Sequence, residues 1–353
     1  MALPEKQKLF VFIFITVTVL IVIPNTLSVS VETSVTTTMC LSTTTVAGGN
    51  GQGSGQNQLD EPVDLAIDNN QNIYIADWEN NRIQKWSVGS DTGITVFPPD
   101  DFSLSSPSAL FLGLNNNLYI AENANYRVLK WTVGTTAVTT VAGGNGNGDA
   151  PNQLSTCDGI FVDNSGNIYV SDTGNHRVMK WVPNSPRGLI VAGGNGQGSS
   201  LNQLSWPAGI FVTFDGSIYI ADADNHRIIR WSQGSDGGQL VGGGNGAGSD
   251  LNQLGYPSSV LVDFYGNVYV SDYSNHRIMK YIPDATSGII IAGTGVPGNG
   301  SNQLNYPYTI KFDLNNNLYV TDRYNHRVQK FSSCRNVHIP SGIYTFPDSV
   351  QGI

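Results

Sequence analysis

The sequence predicts an all-β protein, a six-bladed β-propeller of four-stranded antiparallel blades closed by an N-terminal clasp strand. Three observations carry this. One pattern recurs six times along the 353 residues, at a step of 45 residues once and 50 residues four times. Each copy holds four short runs of β-branched and aromatic residues, too short for helices. A unit of four short strands at that period is the signature of a propeller blade.

Composition agrees. Gly is 40 of 353 and charged residues are 13 %, about half the usual ~25 %. That excludes a coiled coil and a highly charged disordered chain. The net charge of −9 opposes nucleic-acid binding, which needs clustered Lys and Arg. Three cysteines are too few for a disulfide scaffold and lack metal-ligand spacing.

Residues 1–30 read as an export signal. Lys6 and Lys8 precede an apolar run, Leu9 to Ile23, short of the ~18–20 residues a spanning helix needs. Ser28 and Ser30 fit a cleavage site, and an uncleaved signal anchor is the alternative. Both place the rest of the chain outside the cytosol: a secreted or extracellular protein, or a single-pass membrane protein with an extracellular propeller. Residues 31–41 form a Thr-rich lead-in, 42–331 the propeller and 332–353 a C-terminal tail. The sequon Asn299-Gly300-Ser301 lies in a Gly-rich loop and is a glycosylation candidate.

Each copy is written in the same order. Asn-Gln-Leu-x-x-Pro, as at Asn202 to Pro207, leads into strand a, for example Leu65-Ala66-Ile67. A Gly- or Asn-rich turn precedes strand b, as in Ile73 to Asp77. A four-residue turn follows, then strand c, Arg-Val/Ile-x-Lys/Arg-aromatic, as in Arg177 to Trp181. Strand d ends in Gly-Gly, as in Leu189 to Gly194. The first d-type run, Thr43–Ala47, precedes any strand a, and the last blade, Tyr308 to Phe331, has no d after it. The N-terminal strand therefore completes the last blade. The alternative, Ile343 to Phe346, lacks the Gly-Gly exit. The end of c meets the start of d in that blade, which predicts a Cys40–Cys334 disulfide worth roughly 4–5 kcal/mol at most. Cys157 replaces the Pro of its copy and is expected to remain a buried thiol.

These residues resemble the NHL-repeat family, most clearly at Gly166 to Arg177, Gly216 to Arg227 and Gly266 to Arg277. The resemblance spans roughly residues 42 to 331 and implies a six-bladed propeller. It leaves function open, because similar propellers include binding modules, RNA binders and a lyase. The second copy departs most, with Asp100 to Leu104 in place of the Gly-rich loop and Gly113 for the usual Asp. An irregular blade is expected there.

Several motifs invite chemistry. His176, His226, His276 and His326 recur in Asn-His-Arg, but equivalent positions on a six-fold ring stand ~12–15 Å apart. They cannot share one zinc and read as turn residues. The Asp or Glu ending strand b faces the Arg opening strand c, a hairpin staple worth roughly 0–1 kcal/mol if exposed. The Gly-rich loops lack the following helix and Lys of a phosphate loop. Trp86, Trp131, Trp181, Trp231, Tyr281 and Phe331, and the Tyr of each strand b, read as packing between blades.

At the start of the innermost strand, where a propeller enzyme places metal ligands, only Asp64 and Asp158 are carboxylates and no His is present. They are weak cation candidates. No cofactor is expected, and the chain reads as a non-enzyme. The leading reading is an extracellular or membrane-tethered binding module that presents one face to a protein or glycan partner, with no nucleic acid and with membrane contact only through an uncleaved anchor. The alternative is a lyase- or lactonase-like enzyme with a metal at the channel mouth. The candidate face carries the b–c turns and d–a crossovers, where copies differ from one another: Trp78, Tyr126, Tyr273, Arg323 and Tyr324 in the turns, and Trp206, Tyr256, Tyr306 and Tyr308 around the Pro. Trp, Tyr and Arg are the residues enriched at binding hot spots.

Overall fold

The computed structural model describes residues 31–97 and 102–344, with side chains described for 42–97 and 102–332. The expected signal segment lies outside these residues. So do the side chains of Cys40 and Cys334, and with them the expected disulfide. No described helix is long and apolar enough to cross a membrane. The chain divides into two compact units. Thr37–Val337 is the propeller. Met1–Thr36 with His338–Ile353 is the other, and its described parts are the ends of two long strands, Val31–Gly48 and Arg327–Tyr344.

The propeller has six sheets of four strands. The third blade shows the plan: strand a at Cys157–Val162, b at Ile168–Asp172, c at Arg177–Trp181 and d at Leu189–Gly193. Neighbouring strands are antiparallel throughout. In the last sheet Val31–Gly48 lies beside Arg327–Tyr344 in the outer position. The Gly49 N–H donates to the His326 carbonyl there, as Gly194 does to His176 in the third blade. The second blade is four-stranded like the rest; its a–b turn is irregular, with Asn115 and Asn116 both in the left-handed region, and Asp100 and Asp101 lie outside the described residues. Leu104, buried, and Phe102 pack against Phe97 and Trp131 in place of the Gly-rich loop, so the departure is confined to loops.

Hydrophobic cores sit at the seams, one per pair of adjacent blades. Trp86 of the first blade packs with Tyr319 and Val328 of the last, and Trp181 of the third with Ala121 and Leu154 from the second copy's side. The six aromatics ending strand c are all buried, as recurrence predicts. The strand b tyrosines carry a second device. Each lies under the cationic head of the second basic residue of strand c, as Lys85 does over Tyr74 at 5.4 Å and Lys180 over Tyr169 at 5.1 Å.

In blades two to six the b–c turn is a single 3-10 turn, and in all six blades it is closed by a residue in the left-handed region, His176 at φ 54° and its equivalents. This geometry aims the imidazole across the seam. Nδ1 of His176, His226, His276 and His326 accepts the backbone N–H of Trp206, Tyr256, Tyr306 and Glu61, respectively, each on the next blade around the ring. The histidines are turn residues, as expected, and also tie neighbouring blades together.

The acid–Arg staples are present in all six blades, from Arg82–Asp77 at 2.7 Å to Arg327–Asp322 at 2.7 Å. They are not the surface pairs that the low estimate assumed. Every carboxylate side chain is fully buried. In five blades the d–a crossover folds over the pair and its carbonyls accept from the guanidinium: Arg177 donates to Asp149, Ala150 and Gln153, whereas Arg127 of the second blade lies over Phe102 instead. The Asp172 carboxylate also accepts the Ser155 N–H and the Asn175 amide. Burial pushes the carboxyls of Asp77, Asp222, Asp272 and Asp322 upward, against the pull of these partners.

Candidate functional site

The b–c turns and d–a crossovers share one face because strand a starts, and strand b ends, there. On it the structure draws seven of the nine candidate residues into one connected cluster. Arg323 is its centre. Its guanidinium pairs with Glu61 at 2.7 Å and stacks over Trp78 at 4.7 Å, Tyr308 at 5.3 Å and Tyr324 at 5.4 Å. Tyr306 joins Tyr324 at 5.1 Å and Tyr273 at 4.8 Å between ring centroids, and Tyr273 reaches Tyr256 at 6.0 Å. The cluster thus runs over the fifth, sixth and first blades.

Trp206 stands beside His176, at 6.3 Å between rings. Tyr126 packs against the seam of the second and third blades, away from the cluster. Trp206, Tyr256 and Tyr306 are all in the left-handed region, φ 54–56°, because their N–H groups must turn toward the histidines. Most members of the cluster are half-buried, and Tyr324 is the most open at 39 %. Burial raises the phenols of Tyr256, Tyr273 and Tyr308, so all three stay neutral donors. Arg323 is pushed further up by Glu61 and the two tyrosines Tyr273 and Tyr308, against burial. Glu61 escaped the sequence reading. Its signal was there: it is an acid at a position where the other copies hold Ser106, Thr156, Trp206, Tyr256 and Tyr306.

The two axial carboxylates have separate fates. Asp64 accepts the N–H groups of Leu65 and Leu110 and lies 3.6 Å from the Lys311 ammonium. Its charge is met from within the protein. Asp158 accepts one hydrogen bond, from the Asn123 amide at 3.0 Å. Burial raises both carboxyls. Among the described residues no group of three or more His, Cys, Asp or Glu is placed to hold a metal ion. Asn299 is exposed in the crossover between the fifth and sixth blades, where its carbonyl accepts from Arg327. Cys157 is a buried free thiol, raised well above its ordinary range by burial and by Asp172 and Asp158.

The NHL repeat family matches residues 59–86, 154–181 and 304–331, strands a to c of the first, third and sixth blades. No curated protein sequence is significantly similar. Among solved structures, an auxiliary nutrient binding protein from Bacteroides thetaiotaomicron superposes with a TM-score of 0.62 at 17 % identity, over 82 % of this chain and 75 % of that one. A streptogramin B lyase superposes with a TM-score of 0.50 at 13 % identity, over 77 % and 93 %. A chain of the nidogen/laminin complex gives 0.51 at 19 % identity, over 65 % and 79 %. At such identities these likenesses speak to the fold alone.

Proposed function

Starting from a chain that is a six-bladed propeller of NHL repeats, we propose that it is a binding module, exported and either secreted or membrane-tethered, that presents its b–c-turn and d–a-crossover face to a protein or glycan partner. One observation carries this reading. Residues that differ between otherwise matching copies, scattered from Glu61 to Tyr324, meet in one aromatic and guanidinium cluster. Shared fold residues need not vary; a ligand-facing patch must. Rigid aromatics around an anchored Arg suit hydrogen bonding and ring stacking with little loss of side-chain entropy. Solved propellers of similar fold include a nutrient binding protein and a partner in the nidogen/laminin complex, which supports binding as a use of this architecture.

The module acts without a catalytic step in this reading. Asp64 is engaged by Lys311 and two N–H groups, and Asp158 has no titratable partner within hydrogen-bond reach to share acid–base work. The test is a glycan array and cell-surface capture with the wild-type chain, Tyr324→Ala and Trp78→Ala. Capture lost in the variants at unchanged melting temperature supports the face. Capture equal in all three sinks it.

A further inference from the structure

A cavity of about 590 Å³ runs along the propeller axis from Asp158 to the a–b turns, on the side opposite the aromatic cluster. Its volume is in the range of small-molecule sites. One strand a position supplies much of its wall, Phe111, Phe161, Phe211, Leu261 and Lys311; the first blade's equivalent, Ala66, lies in the core between the first and second blades. Three successive blades thus place phenylalanine side by side, Phe111 to Phe161 at 5.1 Å and Phe161 to Phe211 at 5.5 Å. All three rings are half-buried and line the open space. At the mouth, Phe264 and Tyr265 of the fifth blade are 98 % and 80 % exposed, an apolar lip continuous with the wall.

The charges lining this space do not balance. Lys311 faces Asp64 and Lys280 faces Asp263. Asp158 is the third carboxylate: among the described residues it forms no ion pair, and Arg323, whose charge acts on it from further off, is paired with Glu61. One Asp158 oxygen accepts from Asn123; among the described residues the other accepts no hydrogen bond. Asp158 is half-buried, so its second oxygen is open to the cavity and free to accept from a ligand. Asp158 and Phe161 are three residues apart on one strand, ~10 Å at the usual rise.

We infer that the axial cavity is a binding site for an organic ammonium whose aromatic or aliphatic body lies on the Phe111–Phe161–Phe211 wall and whose ammonium donates to the open oxygen of Asp158. The ligand enters past Phe264 and Tyr265. This site is independent of the partner face, and either stands if the other fails.

Isothermal titration of the full chain at pH 7.5 with 4-phenylbutylamine, 4-phenylbutanol and 4-phenylbutyrate tests it. The amine is expected to bind at least about tenfold more tightly than the alcohol, the worth of a charge-assisted hydrogen bond, and the acid most weakly. Asp158→Asn is expected to erase the amine's advantage. No amine binding at millimolar concentration, or an advantage that survives Asp158→Asn, overturns the inference. Should that variant not fold, wild-type protein with labelled phenylalanine decides. Intermolecular NOEs from the amine's ring to Phe161 and Phe211 uphold the site, and NOEs confined to other residues refute it.

Discussion

Asn81 Oδ1 accepts the backbone N–H of Ser106 at 2.7 Å across the seam between the first and second blades. It occupies the position that His holds in blades three to six, with the same left-handed backbone, φ 51°. A short carboxamide and an imidazole thus do one job. The second blade has Tyr126 at this position, and Asn123 accepts the Cys157 N–H instead. All six seams are joined by a side-chain acceptor.

The His276 joint makes stability pH-dependent. Its Nδ1 must keep its lone pair to accept the Tyr306 N–H, and protonation would replace it with an N–H facing an N–H. Burial also holds the His276 pKa below its ordinary value. The unfolded chain therefore binds more protons as pH falls through about 6.5 and below, and stability drops with it. The melting temperature is expected to fall from pH 7.5 to 5. His276→Asn, which copies Asn81, is expected to keep the pH 7.5 value and flatten the acid slope. An unchanged slope would show that the joint does not titrate.

The buried staples should behave unlike exposed pairs. Asp272→Asn leaves the Arg277 guanidinium buried without its counter-charge and is expected to cost about 3–5 kcal/mol. Asp215, paired with Arg230 at the surface, makes the contrast: Asp215→Asn is expected to cost less than about 1 kcal/mol. Urea midpoints of the two variants measure the difference, and equal losses would contradict the burial argument.

Glycine is required at Gly193 for two reasons. Its φ is +68°, and a Cβ there would lie 2.6 Å from the His176 carbonyl oxygen. Gly196 has φ +78° but open space around it. Gly196→Ala is expected to cost about 1–2 kcal/mol for the left-handed backbone alone, and Gly193→Ala clearly more. Thermal melts of both variants check the ordering.

Removing residues 31–47 takes away nearly all of the outer strand of the sixth sheet, Val31–Gly48, and bares the edge of Arg327–Tyr344. An unpaired edge invites pairing with another chain. Light scattering of the truncated protein is expected to show oligomers, and a monomer with unchanged melting temperature would contradict the closure.

Recurrence made the fold readable. Six copies of a Trp-like residue at one position declare a seam, and six acid–Arg pairs declare a hairpin. Recurrence was blind to what crosses seams. His176 finds its acceptor role 30 residues downstream on another blade, and nothing local marks that. Nor did it reveal that the crossover would bury Arg177. The axial wall was missed because strand a is buried on both sides, so alternation does not distinguish channel from seam. Only the mixed set Ala66, Phe111, Phe161, Phe211, Leu261 and Lys311, beside neighbours that barely vary, hinted at it. All nine face residues were legible as positions that differ between copies; that seven of them would meet around Arg323, while Trp206 stands beside His176 and Tyr126 packs at a seam, was not.

The seam joints are also interchangeable. His176, His226 and His276 each grip a plain backbone N–H, at 3.1–3.2 Å, with nothing in the bond that identifies the residue carrying it. A blade can therefore dock on the wrong neighbour, and on another molecule's blade, with the same bond formed. Only the order of the chain, and the pairing of Val31–Gly48 with Arg327–Tyr344, selects the correct ring. Refolding at high concentration should accordingly yield exchanged dimers in which blades of one chain complete the ring of another.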